Sequence, residues 1–376
     1  MKTDTRGARL AVLFAISALG CSDAAVTEPA TASSSGDTLS CDASAAGGVD
    51  VAAEDYYGGE PYALGYPPYA LHGCNLVYVS PPEEGQTYGR LVLRDLVDNA
   101  EVVLAGPEEG ARRPAIADSL IVWEATIDGR RVVRVRAGEA PPIEIDGPFA
   151  AAGEPRVTAD AVVFTAWKTD DEAGDTDVLL WSAADGSLLE VGTGPAQQRF
   201  ADVSADHVAW TDFSEDPDGS FGDDGGDVAE ILVMDRANRN VVTRQRPGKQ
   251  AFPMLDGGKV GFLDWGFVHP EPKFSEYELF VGDVSSPETD ALVAHVLTHS
   301  PYVRPAASGG VLEWISDPEV ESIDLSLWRR PMDLSTEAAR VEGIAGEIYT
   351  PAASTHFSVV GQLGLVGNMV LIAAER

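Results

Sequence analysis

The side chains best suited to chemistry in this sequence are three arginines, one dense run of carboxylates and three cysteines. Arg156, Arg199 and Arg304 each stand beside the start of a short segment that reads as an inner strand. Brought together, they would suit an anionic ligand, because a guanidinium offers a planar fork of donors to carboxylate or phosphate oxygens. Asp212, Asp216, Asp218, Asp223 and Asp224 crowd the stretch DFSEDPDGSFGDDGGD at 212–227. Closely spaced carboxylates with Gly turns suit a hard cation such as Ca2+. An EF-hand is excluded, because the twelfth position counted from Ser214 is Gly225 where glutamate is required. A looser Ca2+ site stays open beside the simpler reading, a solvated acidic hairpin tip; no cofactor is otherwise expected. His295 and His299 are four apart on a strand, which separates their Cα atoms by about 13 Å, too far to share a zinc. No Gly-x-Ser-x-Gly, His-Glu-x-x-His, P-loop or Gly-x-Gly-x-x-Gly motif stands in its proper context.

The charge balance narrows the classes of partner. In 376 residues there are 60 acidic and 26 basic side chains, a formal net charge of −34. Such a chain has no basic surface to displace counterions from phosphates, which excludes nucleic acid. Apolar residues make up 44%, enough for a large core, which excludes wholesale disorder.

The first residues read as an address. Lys2, Arg6 and Arg9 precede an apolar run from Leu10 to Leu19. As a helix that run spans about 16 Å, half a bilayer core, so it reads as a signal peptide and not as an anchor. Ala18-Leu19-Gly20-Cys21 resembles the lipobox of bacterial lipoproteins, with Ala18 where Leu is commonest. The resemblance implies cleavage before Cys21 and lipidation of Cys21. With Ser22 following, and not Asp, it implies an outer-membrane lipoprotein on the periplasmic or cell-surface face. Membrane contact is then expected through the lipid anchor only. The expected organisation is a signal peptide at 1–20, a Ser/Ala/Thr-rich flexible tether at 21–48 and one folded domain at 49–376. Cys41 and Cys74 remain as an even pair in an oxidising compartment, and a disulfide between them is expected.

The elements that must position these groups repeat. Tyr78, Trp123, Phe164, Trp210, Phe262, Trp314 and Val360 each close a short apolar strand, at steps of 41 to 52 residues. Nine residues before them stand Tyr69, Pro114, Pro155, Ala201, Pro253, Pro305 and Pro351. Each unit continues into an alternating strand, a turn such as Asp185-Gly186 and a fourth strand such as Glu101–Leu104. Short period-two strands with Gly, Pro and Asp turns predict an all-β protein. Four strands per repeat of 40–50 residues predict a β-propeller, since one four-stranded sheet cannot cover both its faces. The grammar of proline, small residues, turn and aliphatic-aromatic strand resembles the TolB-like (PD40/WD40-like) propellers, as in Ser204–His207 before Val208-Ala209-Trp210. The length divides best into seven four-stranded blades, with six or eight as alternatives. The last unit is short, and a segment near Val49–Tyr57 is expected to supply its outer strand.

Three connections between second and third strands are long: those containing Asp170–Asp177, Asp212–Asp227 and Asp264–Glu271. Topology puts them at one end of the ring, where propellers bind partners. Trp265 and Phe267 would be the apolar anchors of that face. The function expected is a monomeric, envelope-anchored binding or scaffolding module for a protein, glycan or cationic partner. The alternative is a propeller enzyme, a lyase or hydrolase acting on polysaccharide through the central channel. Against it, the first strands read Pro-Ala-Ile-Ala, Pro-Arg-Val, Pro-Met-Leu and Pro-Ala-Ala, mostly small and apolar.

Overall fold

The computed structural model describes residues 46–52, 66–169, 174–219, 228–265, 275–298, 304–316, 325–346, 348–354, 357–363 and 369–375. These form seven four-stranded antiparallel sheets, the blades of a ring. The first strands are Tyr69–His72, Arg112–Ala117, Ala151–Val157, Gln198–Val203, Gln250–Asp256, Ala306–Ser308 and Ile348–Ala353. Each touches the next in sequence, and the seventh touches the first, so the ring closes around an axis lined by first strands. The fold is a seven-bladed β-propeller, as the repeat predicts.

Six blades use four consecutive strands, and the seventh borrows its outer strand from the other end of the chain. Asp50–Val51 pairs with Met369–Glu375, Val51 lying opposite Met369. This is the closing strand expected near Val49–Tyr57. Val51 is fully buried in a cluster with Val49, Tyr69, Leu76, Val359 and Leu371, which ties the two ends of the domain into one core.

The seven periodic residues occupy one equivalent position in the second strands. All seven are buried, none more than 6% exposed. Their side chains fill the space between neighbouring blades, which is why large apolar groups recur there.

The prolines nine residues earlier have a structural cause. In blades 2, 3, 4, 5 and 7 the first strand carries a β-bulge in which two residues oppose the periodic residue of the second strand. Arg113-Pro114 oppose Trp123, Glu154-Pro155 oppose Phe164, and Phe252-Pro253 oppose Phe262. A bulge leaves an amide out of the ladder, so proline, which has none to offer, is accepted there. The residue before it adopts a left-handed conformation: φ is 50° at Arg113, 56° at Glu154, 56° at Phe200 and 57° at Phe252. None is glycine, and each costs about 1–2 kcal/mol of backbone strain. The bulge swings that side chain away from the pleat direction.

Closure gives a prediction. Val51→Asp should lower stability by about 3 kcal/mol or more, because an ionised carboxylate would enter the closing core. Exposed Asp50→Asn should stay within about 0.5 kcal/mol of the parent. Urea unfolding reads both, and an unchanged midpoint for Val51→Asp would show that the ring does not depend on this strand.

Candidate channel-end site

Register places the bulges near one end of the ring. Ala151 opposes Trp167, Gln198 opposes Asp212 and Gln250 opposes Asp264, so each bulged strand begins beside the exit of its second strand. The long connections leave from those exits. Connections 317–324 of blade 6 and 80–90 of blade 1 occupy the equivalent place, a fourth and a fifth that the sequence reading did not single out. The bulge residues and these connections therefore share one end of the propeller.

Tyr66, just before the first strand of blade 1, is the centre of the cluster at this end. It is only 2% exposed. Guanidinium carbons of Arg156, Arg304 and Arg113 lie 4.5, 5.3 and 5.5 Å from its ring centroid. These arginines come from blades 3, 6 and 2. The Phe252 ring lies 5.9 Å from Arg304 and packs at 4.5 Å, tilted by 45°, against Phe200, which extends the aromatic surface across blades 4 and 5.

Two buried carboxylates hold the surrounding arginines. Glu124, fully buried, accepts from Arg112 Nε at 2.7 Å, Arg113 Nη1 at 3.1 Å and the Glu154 amide of the next blade at 3.1 Å. Arg131 Nε lies 4.0 Å away. Burial alone would push the Glu124 carboxyl up, but Arg112, Arg113 and Arg131 together with that amide outweigh it and hold it at about 2. Glu154 accepts from Arg199 Nη2 of blade 4 and from Thr165 Oγ1 at 2.8 Å. Its burial is likewise outweighed, mainly by Arg199, and its carboxyl lies below the usual range.

Asp202 is different. It accepts the Leu255 amide of blade 5 at 2.7 Å and lies in the field of Arg304 and Arg156. Burial outweighs both arginines, and its carboxyl is raised above the usual value. Arg156 is pushed down to about 10 by burial and then by the positive charge of Arg304. Arg304 is 3% exposed, and its Nη2 donates to the Pro253 carbonyl of blade 5 at 2.8 Å.

The arginines singled out from sequence thus divide. Arg156 and Arg304 converge on Tyr66, while Arg199 is committed to Glu154 and packs against Trp167 and Phe200. Arg113 joins the cluster, and the sequence reading missed it. Its signal was the position directly before a periodic proline, which it shares with Glu154, Phe252 and Arg304.

The acidic loop residues have structural work. Asp216, 9% exposed, accepts the amides of Asp218 and Gly219 at 3.0 Å and Val228 at 2.7 Å, which draws the two sides of its loop together. Asp212 accepts the Ser214 amide at 2.7 Å. Asp218 is exposed. Trp265 packs on Phe252 at 5.8 Å and Tyr277 at 5.5 Å. Asp223, Asp224 and Phe267 lie outside the described residues, as do Cys21, Cys41 and His299. Cys74 is disulfide-bonded. Among the described residues no group of three or more His, Cys, Asp or Glu is arranged to hold a metal. No helix among them is long and apolar enough to cross a membrane.

A closed ring of seven four-stranded blades with a charged channel end defines the protein's class, a β-propeller. No family profile and no curated protein matches the chain. Similar solved structures include the β-propeller domain of the Trilobed protease from Pyrococcus furiosus, at 12% identity and TM-score 0.58, covering 81% of this chain and 93% of that one. A prolyl endopeptidase matches at 15% identity and TM-score 0.57, covering 82% of this chain and 46% of that one, so this chain spans less than half its length. TolB from Acinetobacter baumannii is also among them, at 15% identity and TM-score 0.45, covering 73% of this chain and 65% of that one. At these identities the likeness establishes the fold alone. The Trilobed propeller has an open Velcro topology, whereas here Asp50–Val51 joins the last blade.

Two predictions test the buried network. A Cβ on Gly153 would stand 2.2 Å from Glu124 Oε2, so Gly153→Ala should displace the carboxylate and cost about 3 kcal/mol, whereas Gly258→Ala meets nothing within 4 Å and serves as control. Equal unfolding midpoints for the two variants would refute this. Glu124 also has a lower pKa folded than unfolded, so its contribution is complete above about pH 4.5 and is lost as pH falls towards about 2. Glu124→Gln should be less stable at pH 7 by about 3–5 kcal/mol and should lack that part of the acid dependence. Parallel stability curves for the two proteins between those pH values would be inconsistent with it.

Proposed function

We propose that this protein is an outer-membrane lipoprotein, anchored through Cys21, whose propeller recognises an envelope protein or glycan. The recognition face is the end where the bulge side chains and the long connections meet. One observation carries this reading: side chains from blades 2, 3 and 6 converge on Tyr66 at the end from which five of the seven blades send long connections. Binding sites gather on loops held by a rigid scaffold, and a closed ring is such a scaffold. A cationic part of a partner would meet the carboxylates of Glu215 and Asp218, both exposed. The same reading assigns Cys41 as the partner of Cys74, which would fasten the tether to blade 1.

The recognition reading is tested by affinity capture from envelope extract with the full chain. Charge reversal of Glu215 and Asp218 to Lys should reduce the captured partner at least tenfold. Asp206→Lys, on a turn at the opposite end, should leave capture unchanged. Equal capture by all three proteins would remove this face from consideration.

A further inference from the structure

We infer that the channel end formed by Tyr66, Arg113, Arg156 and Arg304 binds a small oxyanion, a carboxylate or phosphate group, and this deepens the recognition reading of the same end. The first ground is an inverted local charge. In a chain of net charge −34, the charged groups acting on Tyr66 are three arginines (Arg113, Arg156 and Arg304) against one carboxylate, Glu154. Glu124 is shared by Arg112, Arg113 and Arg131, and Glu154 is engaged by Arg199. Arg156 and Arg304 share Asp202, and Arg156 also lies in the field of Glu154, but among the described residues neither arginine comes within 4 Å of a carboxylate.

The second ground is a pair of orphaned buried donors. Among the described residues, Tyr66 Oη and Arg304 Nη1 are both buried without a hydrogen-bond partner, on side chains that are 2% and 3% exposed. Leaving one such group unmade costs about 1–3 kcal/mol, so a buried orphan calls for an explanation. Both can donate, and the cations around them supply the field, so the missing component is an acceptor with negative charge. An oxyanion provides that and relieves the repulsion between Arg156 and Arg304. Arg156 and Asp202 are partly exposed and give the path from solvent.

Thermal unfolding of the full chain in detergent, at fixed ionic strength, tests the inference. The probes are sodium phosphate, sodium succinate, sodium glucuronate and glucose, each compared with sodium chloride. Phosphate or a carboxylate should raise the midpoint by about 2 °C or more beyond chloride, and glucose should not. A shift with phosphate or succinate identifies a free anion as sufficient; a shift with glucuronate alone identifies an anion carried on a sugar; either supports the site. Tyr66→Phe keeps the ring among the arginines and removes the orphaned hydroxyl. It should leave the midpoint in chloride unchanged or raised, while weakening the anion about tenfold. Arg304→Gln should abolish the shift. No shift beyond chloride, or a shift undiminished in both variants, overturns the oxyanion site. Capture that still responds to Glu215 and Asp218 reversal would then leave the recognition face standing. An anion shift with indifferent capture would overturn that face and leave the anion site.

Discussion

Two residues of a first strand opposing one large residue of the second is the constraint on which this architecture turns. In five blades the same bulge recurs, and it accounts for three things together. It leaves an amide unpaired, so proline fits. It sets two residues against one large or branched side chain that is buried between blades. In blades 2 to 5 it comes with left-handed backbone at the first bulge residue, so a side chain that would follow the pleat is turned elsewhere. Arg113, Glu154, Phe200 and Phe252 are all nearly or fully buried at these positions, although two of them are charged. The strain of about 1–2 kcal/mol at each is offset by packing that no regular strand could make.

Those charged groups also join the blades. Glu124 of blade 2 accepts an amide of blade 3, Glu154 of blade 3 holds Arg199 of blade 4, and Asp202 of blade 4 accepts an amide of blade 5. Arg304 of blade 6 donates back to a carbonyl of blade 5, and Glu313 of blade 6 accepts from Ser358 of blade 7 at 2.7 Å. Apolar packing between blades is non-directional and would tolerate sliding or a different blade number. Buried polar pairs tolerate neither, because a slipped register strands a charge in a dry interior. Their contribution to net stability is modest beside the apolar interfaces, but they fix which blade meets which and at what height. The positions of Tyr66 and its arginines follow from that fixed height.

Much of the fold was legible in the sequence because it is local and repeated. The period, the proline offset and the strand grammar are set by each blade's own needs, and seven copies make a weak signal strong. The closing strand was legible from a deficit, a last unit one strand short. The channel end was less so. Arg156 and Arg304 were picked out as residues near first strands, but Arg199 looks the same in sequence and is spent on Glu154. What separates them is the identity of the residue facing each across a blade boundary, which is a property of the closed ring. Arg113 and Glu154 needed a further fact, the left-handed turn of the backbone, which sequence does not mark when the residue is not glycine. Tyr66 is one of four tyrosines preceding the first blade, and only ring closure brings blades 2, 3 and 6 around it.

The charge of −34 then has an internal structure. The connection at 213–229 carries six carboxylates, while at the channel end three arginines converge on Tyr66. At physiological ionic strength charges are screened over about 8 Å, so an anion in bulk meets the acidic exterior only at short range. Inside, burial weakens that screening, and the field of Arg156 and Arg304 acts at nearly full strength. Long-range attraction therefore cannot be what draws an anion to this end. Selection has to occur at contact, through donors already placed, and it favours ligands that also offer something to the acidic rim: a hydroxyl-rich sugar or a basic segment beside the anionic group. A ligand with both parts would be oriented before it is bound, with its negative end towards the axis.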